Sequence, residues 1–288
     1  MVGPALVQWE ADNICVIFQE PLVMHPMLNI ATRAARGAGA VVSRSLARSG
    51  SLDIVTKARN DFVSEVDRAA EREIIATLRK AYPDHAILAE ESGAQGDSEY
   101  LWVIDPLDGT TNFLHGLPQF AISIALKHRG RLEVAVIYDP MRDELFTAER
   151  GGGAQRDGKR LRVSGRKGLD GALIGTGFPF KAEEHLDAYL ATFRALFPLV
   201  ADVRRAGSAA LDLAWVACGR LDGFWEIGLS EWDTAAGALL IREAGGLVSD
   251  FSGGEEYLQS GNVVAGSPKV FEGILRTITP HLTPPLKK

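Results

Sequence analysis

The sequence predicts an α+β fold in which helices pack on a mostly antiparallel sheet. Three apolar segments between residues 120 and 148 follow one another through short turns, which is typical of an antiparallel meander. Segments with helical periodicity lie before the meander at 26–48 and 68–81, and after it at 234–244. Helices that are separated along the chain from an antiparallel meander are typical of the α+β class.

The composition is that of an ordinary globular protein of a reducing compartment. A chain of 288 residues can form one large domain or two lobes, and a net charge of −6 argues against a broad nucleic-acid-binding surface. Cys15 and Cys218 are far apart and fit neither a disulfide framework nor a zinc site. No apolar run reaches the roughly 18 residues of a membrane span, and Glu10 and Asp12 replace the basic start of a signal peptide. We therefore expect a cytoplasmic protein without membrane or direct nucleic-acid contacts.

The N-terminal stretch has no clear period, whereas helical periodicity begins immediately after Met24. We expect residues 1–23 to be an extension from a misassigned start; an added edge strand or a disordered arm is the alternative. The remaining chain is expected to form an N-terminal α+β lobe at 24–165, a C-terminal α/β lobe at 166–280 and a tail at 281–288.

Acidic residues accompany the elements that follow the first amphipathic helix. Asp67 precedes the second helix at 68–81 and is placed to cap it. A short apolar strand at 86–89 then ends at Glu90 and Glu91, where a solvated loop is the alternative interpretation.

In the central stretch at 101–113, an apolar strand is followed by a polar turn. Pro106 lacks an N–H group and is expected to end the strand at Asp105. Two carboxylates three residues apart, Asp105 and Asp108, can converge on one cation, and the carbonyl oxygen of Leu107 can join them. Three oxygen ligands suit Mg²⁺, although Asp-Pro and Asp-Gly also occur in ordinary solvated turns.

Gly109 and Thr110 follow the two aspartates directly. They supply backbone N–H groups and a hydroxyl beside the predicted cation, and these groups bind phosphate where a helix or turn begins.

The second half continues with alternating strands and helices. The Gly207-Ser208 pair is expected to open an apolar helix that ends near Cys218, and Asp233 is placed as the N-cap of the helix at 234–244. The other expected elements are strands at 173–176, 222–226, near 247 and at 262–265, and helices at 183–197 and from Pro268 onward.

Four carboxylates share one property, because each follows a strand end or opens a helix, where a folded sheet can gather them. They are Glu90, Asp105, Asp108 and Asp233. Carboxylates gathered in one cleft repel one another unless a cation neutralises them, and with a bound cation such a cluster suits phosphate chemistry.

These motifs resemble those of the inositol monophosphatase family, and its bacterial SuhB branch in particular, from Met24 to about residue 280. Any one of the motifs is weak evidence, but their joint occurrence in this order is specific. The family motifs are Asp61-Phe-Val-Ser-Glu-Val-Asp67, Glu90-Glu91-Ser92, Asp105-Pro-Leu-Asp-Gly-Thr-Thr-Asn112 and Glu231-Trp232-Asp233-Thr-Ala-Ala-Gly237. The SuhB branch is indicated by Met24-His-Pro-Met-Leu-Asn-Ile-Ala31, Thr176-Gly-Phe-Pro-Phe180 and Arg204-Arg205-Ala-Gly-Ser-Ala209.

The resemblance implies a layered αβαβα sandwich of the inositol monophosphatase and fructose bisphosphatase type, a homodimer, Mg²⁺ dependence and inhibition by lithium. The implied ligands of a first Mg²⁺ are Glu90, Asp105 and the Leu107 carbonyl, and those of a second are Asp105, Asp108 and Asp233. A weaker third ion would lie near Glu90 and Asp67.

The resemblance also implies substrate contacts. Phosphate would contact Asp108, Gly109 and Thr110, whereas the inositol ring would contact Gly207, Ser208, Ala209 and Glu226. Arg204 matches a substrate-side position, and Arg205 one near the dimer interface. The implied reaction is hydrolysis of inositol 1-phosphate by a metal-activated water that Glu90 and the Thr110–Asp67 pair orient.

Three alternative functions were considered. A haloacid dehalogenase phosphatase is disfavoured because its motif places the two acids two residues apart, not three. A relative that acts on another sugar or nucleotide phosphate shares the metal motif, so only substrate-side residues such as Glu226 argue against it. SuhB-like proteins are also associated with ribosomal RNA transcription antitermination through NusA and RNA polymerase, a binding role that needs no catalysis.

Overall fold

The computed structural model describes residues 26–47, 54–58 and 61–287. The predicted extension at 1–23, together with Met24 and Cys15, lies outside these residues. In the part of the chain that is described, no helix is both long and apolar enough to cross a membrane.

Two helices form the first layer. Helix α1 (Pro26–Ala47) turns an alanine-rich stripe toward helix α2 (Glu65–Ala81), and small side chains let the two helices approach closely. Helix α2 begins three residues earlier than expected, so Asp67 is not its cap but a buried residue of its first turn. A short antiparallel hairpin, β1 (Ile54–Ala58) and β2 (Asp61–Ser64), connects the two helices.

An eight-stranded sheet forms the second layer, in the order β10-β9-β8-β7-β6-β5-β3-β4. Every pair of neighbours is antiparallel except β3 and β5, so the predicted meander is confirmed. The strands are β3 (Ala86–Ala89), β4 (Gly93–Gln95), β5 (Tyr100–Asp108), β6 (Ala121–His128), β7 (Arg131–Asp139), β8 (Glu144–Glu149), β9 (Gly153–Arg156) and β10 (Lys159–Arg160).

Strand β5 does not end at Asp105 as expected. It runs through Pro106 to Asp108, because the pairing with β6 changes register between these two aspartates. Asp105 pairs with Ser123 and Asp108 with Ala121, so β5 carries one residue more than its partner there. Such a bulge tolerates a proline, since the ladder needs no N–H at that point. Helix α3 (Thr110–Leu114) follows directly.

Helices α5 (Ala209–Ala217) and α6 (Glu231–Glu243) form the middle layer. Both are mostly buried, since they are covered by a sheet on each side, which explains why they lack an amphipathic pattern. Helix α6 begins at Glu231, earlier than expected. Ser230 is its N-cap, and Asp233 lies in the first turn, where its carboxylate accepts the Ser230 N–H at 2.7 Å.

A mixed five-stranded sheet and its outer helices complete the sandwich. The sheet order is β12-β11-β13-β15-β14. Its strands are β11 (Leu173–Thr176), β12 (Asp202–Arg204), β13 (Gly223–Glu226), β14 (Leu247–Ser249) and β15 (Val263–Gly266). The remaining helices are α4 (Leu186–Leu196), α7 (Tyr257–Ser260) and α8 (Pro268–Ile278), of which α4 and α8 cover the outer face of the sheet. The apolar cores lie between successive layers, so the αβαβα arrangement is confirmed.

Candidate active site

Three aspartates from two layers meet at the end of β5. Asp105 and Asp108 flank the bulge of β5, and Asp233 reaches them from the first turn of α6. One carboxylate oxygen of each lies within 4.8 Å of the others. The Asp105 carboxylate is fixed by the Leu107 N–H at 2.9 Å. The sheet and the middle helix layer therefore bring together residues that are more than a hundred positions apart in the chain.

Burial raises the pKa of all three carboxyls of the acidic triad. Burial raises the pKa of Asp105 well above its usual range, and the charges of Glu90, Asp108 and Asp233 raise it further. Burial and then Asp233 raise the pKa of Asp108 to about 7, against hydrogen bonds from Ser208 and Ala210 that lower it. Burial also raises the pKa of Asp233, against the opposing effects of the Ser230 N–H and Lys181. A cation at the triad would relieve this repulsion.

The donor set fits a hard divalent cation. The candidate ligands are carboxylate oxygens, together with the Leu107 carbonyl, and Glu90 borders the same cavity. An all-oxygen set without sulfur or imidazole is the one that Mg²⁺ prefers. The buried, mutually repelling carboxylates are the observation that supports this fit.

The acidic triad lies on the wall of a cavity of about 420 Å³. The cavity has the size of a small-molecule site. It brings together most of the residues expected from the sequence, namely Glu90, Asp105, Leu107, Asp108, Gly109, Thr110, Gly207, Ser208, Ala209, Glu226 and Asp233.

Asp67 does not line the cavity but holds a residue that does. The Thr110 hydroxyl lies 2.9 Å from an Asp67 carboxylate oxygen and 3.0 Å from the Leu107 carbonyl oxygen. Asp67 is 1% exposed, so this contact is shielded from bulk water. The hydroxyl is thereby oriented at the edge of the acidic triad.

The loop before α3 approaches its neighbours closely. Gly109 has φ 96°, and a Cβ there would lie 2.8 Å from the Gln119 carbonyl oxygen and 3.2 Å from that of Gly207. Glycine is therefore required both for the backbone conformation and for the space. The side-chain amide of Asn112 donates to the Gln119 carbonyl at 2.8 Å and to the Ala206 carbonyl at 2.9 Å, which ties α3 to the loop before α5.

Ser208 links the triad to α5. It is the N-cap of that helix, and its hydroxyl donates to Asp108 at 2.6 Å. The Ala210 N–H donates to the same carboxylate oxygen at 2.7 Å. One oxygen of Asp108 is thus held by the protein, while the carboxylate still belongs to the triad.

The two neighbouring arginines lie in different places. Arg204 pairs with Asp202 and is not among the residues that line the cavity. Arg205 lines the cavity, and its guanidinium group packs 5.3 Å from the ring centroids of Phe178 and Phe180. The structure therefore brings Arg205, and not Arg204, to the site.

Several residues that line the cavity were not predicted as metal or substrate ligands. The most important is Asp212 on α5, an acid that interrupts an otherwise apolar helix, and that interruption is the signal that could have identified it. The others include Lys181 and six residues that belong to the family or branch motifs, namely Asn112, Thr176, Gly177, Phe178, Phe180 and Arg205.

Comparisons with known proteins identify the family of this chain. The profile of the inositol monophosphatase family matches residues 23–282. Nus factor SuhB of Pseudomonas aeruginosa is 61% identical over 271 residues, which cover 92% of this chain and 100% of that protein. Among solved structures, extragenic suppressor protein suhB from Bartonella henselae has a TM-score of 0.86 and 44% identity, covering 88% of this chain and 98% of that one. Inositol monophosphatase from Anabaena has a TM-score of 0.80 and 42% identity, covering 90% and 97%. The chain therefore belongs to the inositol monophosphatase family.

Proposed function

We propose that this protein is a Mg²⁺-dependent phosphatase that hydrolyses inositol 1-phosphate to inositol and phosphate. The observation that carries the proposal is the acidic triad, whose carboxylates lie together on the wall of a cavity with the size of a small sugar phosphate. Family and fold support phosphatase chemistry, and the family is metal-dependent.

The proposed ligand sets are those of two ions. Glu90, Asp105 and the Leu107 carbonyl would hold one Mg²⁺, and Asp105, Asp108 and Asp233 would hold another. A weaker third ion would lie near Glu90 and Asp67. Bound Mg²⁺ lowers the pKa of a coordinated water and offsets negative charge on the phosphoryl group.

Residues around the triad orient the reactants. Glu90 and the Thr110 hydroxyl, which Asp67 holds at 2.9 Å, would position the attacking water, and the Glu90 carboxylate would accept its proton. Gly109 and Thr110 would contact the phosphoryl group at the start of α3. Attack forms a bond from the water oxygen to phosphorus and breaks the phosphorus–oxygen bond to inositol, which leaves as an alcohol after protonation.

A further set of cavity residues would bind the alcohol. Gly207, Ser208 and Ala209 line it at the start of α5, and Glu226 lines it at the end of β13. Carboxylate and backbone groups are suitable partners for ring hydroxyls. The prediction that Arg204 contacts the substrate rests on the sequence alone. Arg205, in contrast, lines the cavity, where its positive charge could reach a ligand.

Phosphate release from inositol 1-phosphate tests the proposal directly. Turnover should require Mg²⁺ and should fall when lithium is added. Absence of turnover at every Mg²⁺ concentration, from protein whose fold is verified by circular dichroism, would refute it. Release from a second sugar or nucleotide phosphate, measured in parallel, decides between inositol phosphate and the other small substrates.

Replacing Gly177 with alanine should impair binding of the inositol moiety. A Cβ at residue 177 would lie 1.9 Å from a Glu226 carboxylate oxygen, so Glu226 must move. We expect KM for inositol 1-phosphate to rise about tenfold, the effect of losing one hydrogen bond to a charged group. Gly165 is a matched control because a Cβ there meets nothing within 4 Å, and Gly165→Ala should leave KM unchanged. An unaltered KM for Gly177→Ala would contradict the role assigned to Glu226.

We also propose that the chain forms a homodimer. An exposed apolar surface supports this, since Leu186 and Leu190 of α4 are 45% and 49% exposed and Phe197 is 62% exposed. Sedimentation equilibrium should give the mass of two chains, and Leu190→Asp should weaken the dimer at least about tenfold, because it would bury a charge. Leu247→Asp, the same change at a residue of β14 that is 44% exposed, is the control. A wild-type monomer would refute the dimer proposal.

A second candidate function is a cytoplasmic binding role in ribosomal RNA transcription antitermination, with NusA and RNA polymerase as partners. The similarity to Nus factor SuhB of Pseudomonas aeruginosa over that protein's whole length supports it. A folded but inactive variant should then complement loss of the relative in cells. Complementation by active variants alone would favour the catalytic role.

A further inference from the structure

Asp212 is a buried acid that the proposed reaction does not use. It lies on α5, borders the cavity and is only 2% exposed. Its Oδ1 atom has no hydrogen-bond partner among the described residues. A buried polar oxygen without a partner costs stability, so an unpaired acid in this position calls for a partner that arrives with a ligand.

Asp212 is separate from the acidic triad. Its carboxylate is not among those that lie within 4.8 Å of one another at the candidate metal site. The neighbouring acid on its side of the cavity is Glu226, whose charge interacts with that of Asp212. The end of β11 leaves little free space beside them, since a Cβ on Gly175 would lie 3.5 Å from the Asp212 Cβ and one on Gly177 would overlap Glu226.

Burial and then the charge of Asp108 raise the pKa of Asp212 well above its usual range, and burial and then Asp212 raise that of Glu226. The positive charge of Arg205 opposes both shifts. Its guanidinium group packs over Phe178 and Phe180. The wall formed by Asp212 and Glu226 therefore presents carboxyl oxygens that can accept hydrogen bonds to the cavity.

We propose that Asp212 is a specificity-determining residue whose Oδ1 atom accepts a hydrogen bond from a hydroxyl of the bound alcohol. Phosphate esters whose alcohol carries a hydroxyl at this wall are then favoured over esters without one, because only they give the buried oxygen a partner. The inference rests on the proposed phosphatase function.

Two substitutions test the hydrogen bond. Asp212→Leu removes the acceptor oxygen, and KM for inositol 1-phosphate should rise about tenfold while kcat changes by no more than about twofold. Asp212→Asn keeps an acceptor oxygen, so KM for inositol 1-phosphate should stay within about threefold. For 4-nitrophenyl phosphate, which has no ring hydroxyls, KM should not change in either variant.

Thermal stability distinguishes specificity from a structural role. Both Asp212 variants should melt at or above the temperature of the wild type, because they remove an unpaired buried acid. Asp222 is the matched control, since it is also buried but accepts hydrogen bonds from Arg166 at 3.0 Å and the Leu173 N–H at 2.8 Å. Asp222→Asn should lower the melting temperature and leave every KM unchanged.

An unchanged KM for inositol 1-phosphate in Asp212→Leu would overturn the inference, as would lower melting temperatures of both Asp212 variants. Failure of the phosphatase proposal is a separate result, seen as absence of turnover by the wild type. In that case the same comparison is made by calorimetric titration of inositol 1-phosphate with Ca²⁺ in place of Mg²⁺. A dissociation constant that rises about tenfold in Asp212→Leu supports the inference, and an unchanged one overturns it.

Discussion

Asp108→Asn is expected to reduce phosphate release roughly a thousandfold, because a metal ligand contributes several kcal/mol to stabilisation of the transition state. Asp108 belongs to the acidic triad, and one of its oxygens accepts a hydrogen bond from the Ser208 hydroxyl in the wall of the cavity. Removal of its charge weakens the proposed second ion, which would otherwise stabilise the leaving oxygen of inositol.

The substitution should leave the fold intact. The amide oxygen of asparagine can still accept the hydrogen bonds that Ser208 and Ala210 now donate to one oxygen of Asp108. Its NH₂ group would replace the oxygen that belongs to the triad and can donate to Asp105 or Asp233. The change therefore removes repulsion among the acids without opening a cavity.

Steady-state phosphate release and circular dichroism together test this expectation. Asp222→Asn is a suitable control, since it removes one negative charge from a buried aspartate that lies at the opposite end of β13 from Glu226. If Asp108→Asn retained wild-type turnover, Asp108 would not be a metal ligand in the reaction. If the variant were unfolded, the hydrogen bonds that Ser208 and Ala210 donate to Asp108 would contribute more to the stability of the fold than the structure indicates.

The sequence predicted the fold well because its layers depend on patterns that are local in the chain. The antiparallel meander is determined by alternating apolar strands and short turns, and α1 by its apolar stripe. The limits of elements near the site were predicted less well. Pro106 was expected to end β5, but a bulge accommodates it, and a bulge depends on the pairing strand and not on local propensity.

The acids of the site were predicted because strand ends and helix starts are visible in a sequence. Asp233 was expected as a cap, and its true position in the first turn of α6 depends on Ser230, whose N–H it accepts. Arg204 was predicted to lie on the substrate side, whereas Arg205 lines the cavity. Neighbouring residues at a strand end point in different directions, and only the structure shows which one meets Phe178. Asp212 was missed because a single acid in an apolar helix resembles an ordinary polar substitution.

The metal-free protein is expected to lose stability as the pH rises from about 5 to about 8, and Mg²⁺ should restore it. Folding raises the pKa of Asp105, Asp108 and Asp233 through burial and mutual repulsion. At pH values between the unfolded-state and the folded-state pKa values of these carboxyls, the folded protein therefore binds more protons than the unfolded protein. The stability that these protonated carboxyls contribute is fully present below their unfolded-state pKa and is lost as the pH rises through their folded-state pKa.

Asp108 sets the window of this effect, since its pKa rises from 3.8 to about 7. A change of this size corresponds to no more than about 4 kcal/mol, and less where the triad retains contact with water. Paired carboxylates such as Asp143 and Asp250 have lowered pKa values, so their contribution changes only at lower pH. Comparison with Asp108→Asn cancels the effect of other titratable groups because both proteins contain them.

Melting curves in EDTA and in Mg²⁺, recorded from about pH 5 to about pH 8, measure this linkage. In EDTA the melting temperature of the wild type should fall with rising pH, and that of Asp108→Asn should fall less. Mg²⁺ competes with protons for the same oxygens, so it should raise the melting temperature more at the alkaline end than at the acidic end. Parallel curves for the two proteins in EDTA would show that folding does not raise the pKa of Asp108. An equal Mg²⁺ effect at both ends would show that the cation binds elsewhere, and the metal assignment would then fail together with the proposed chemistry.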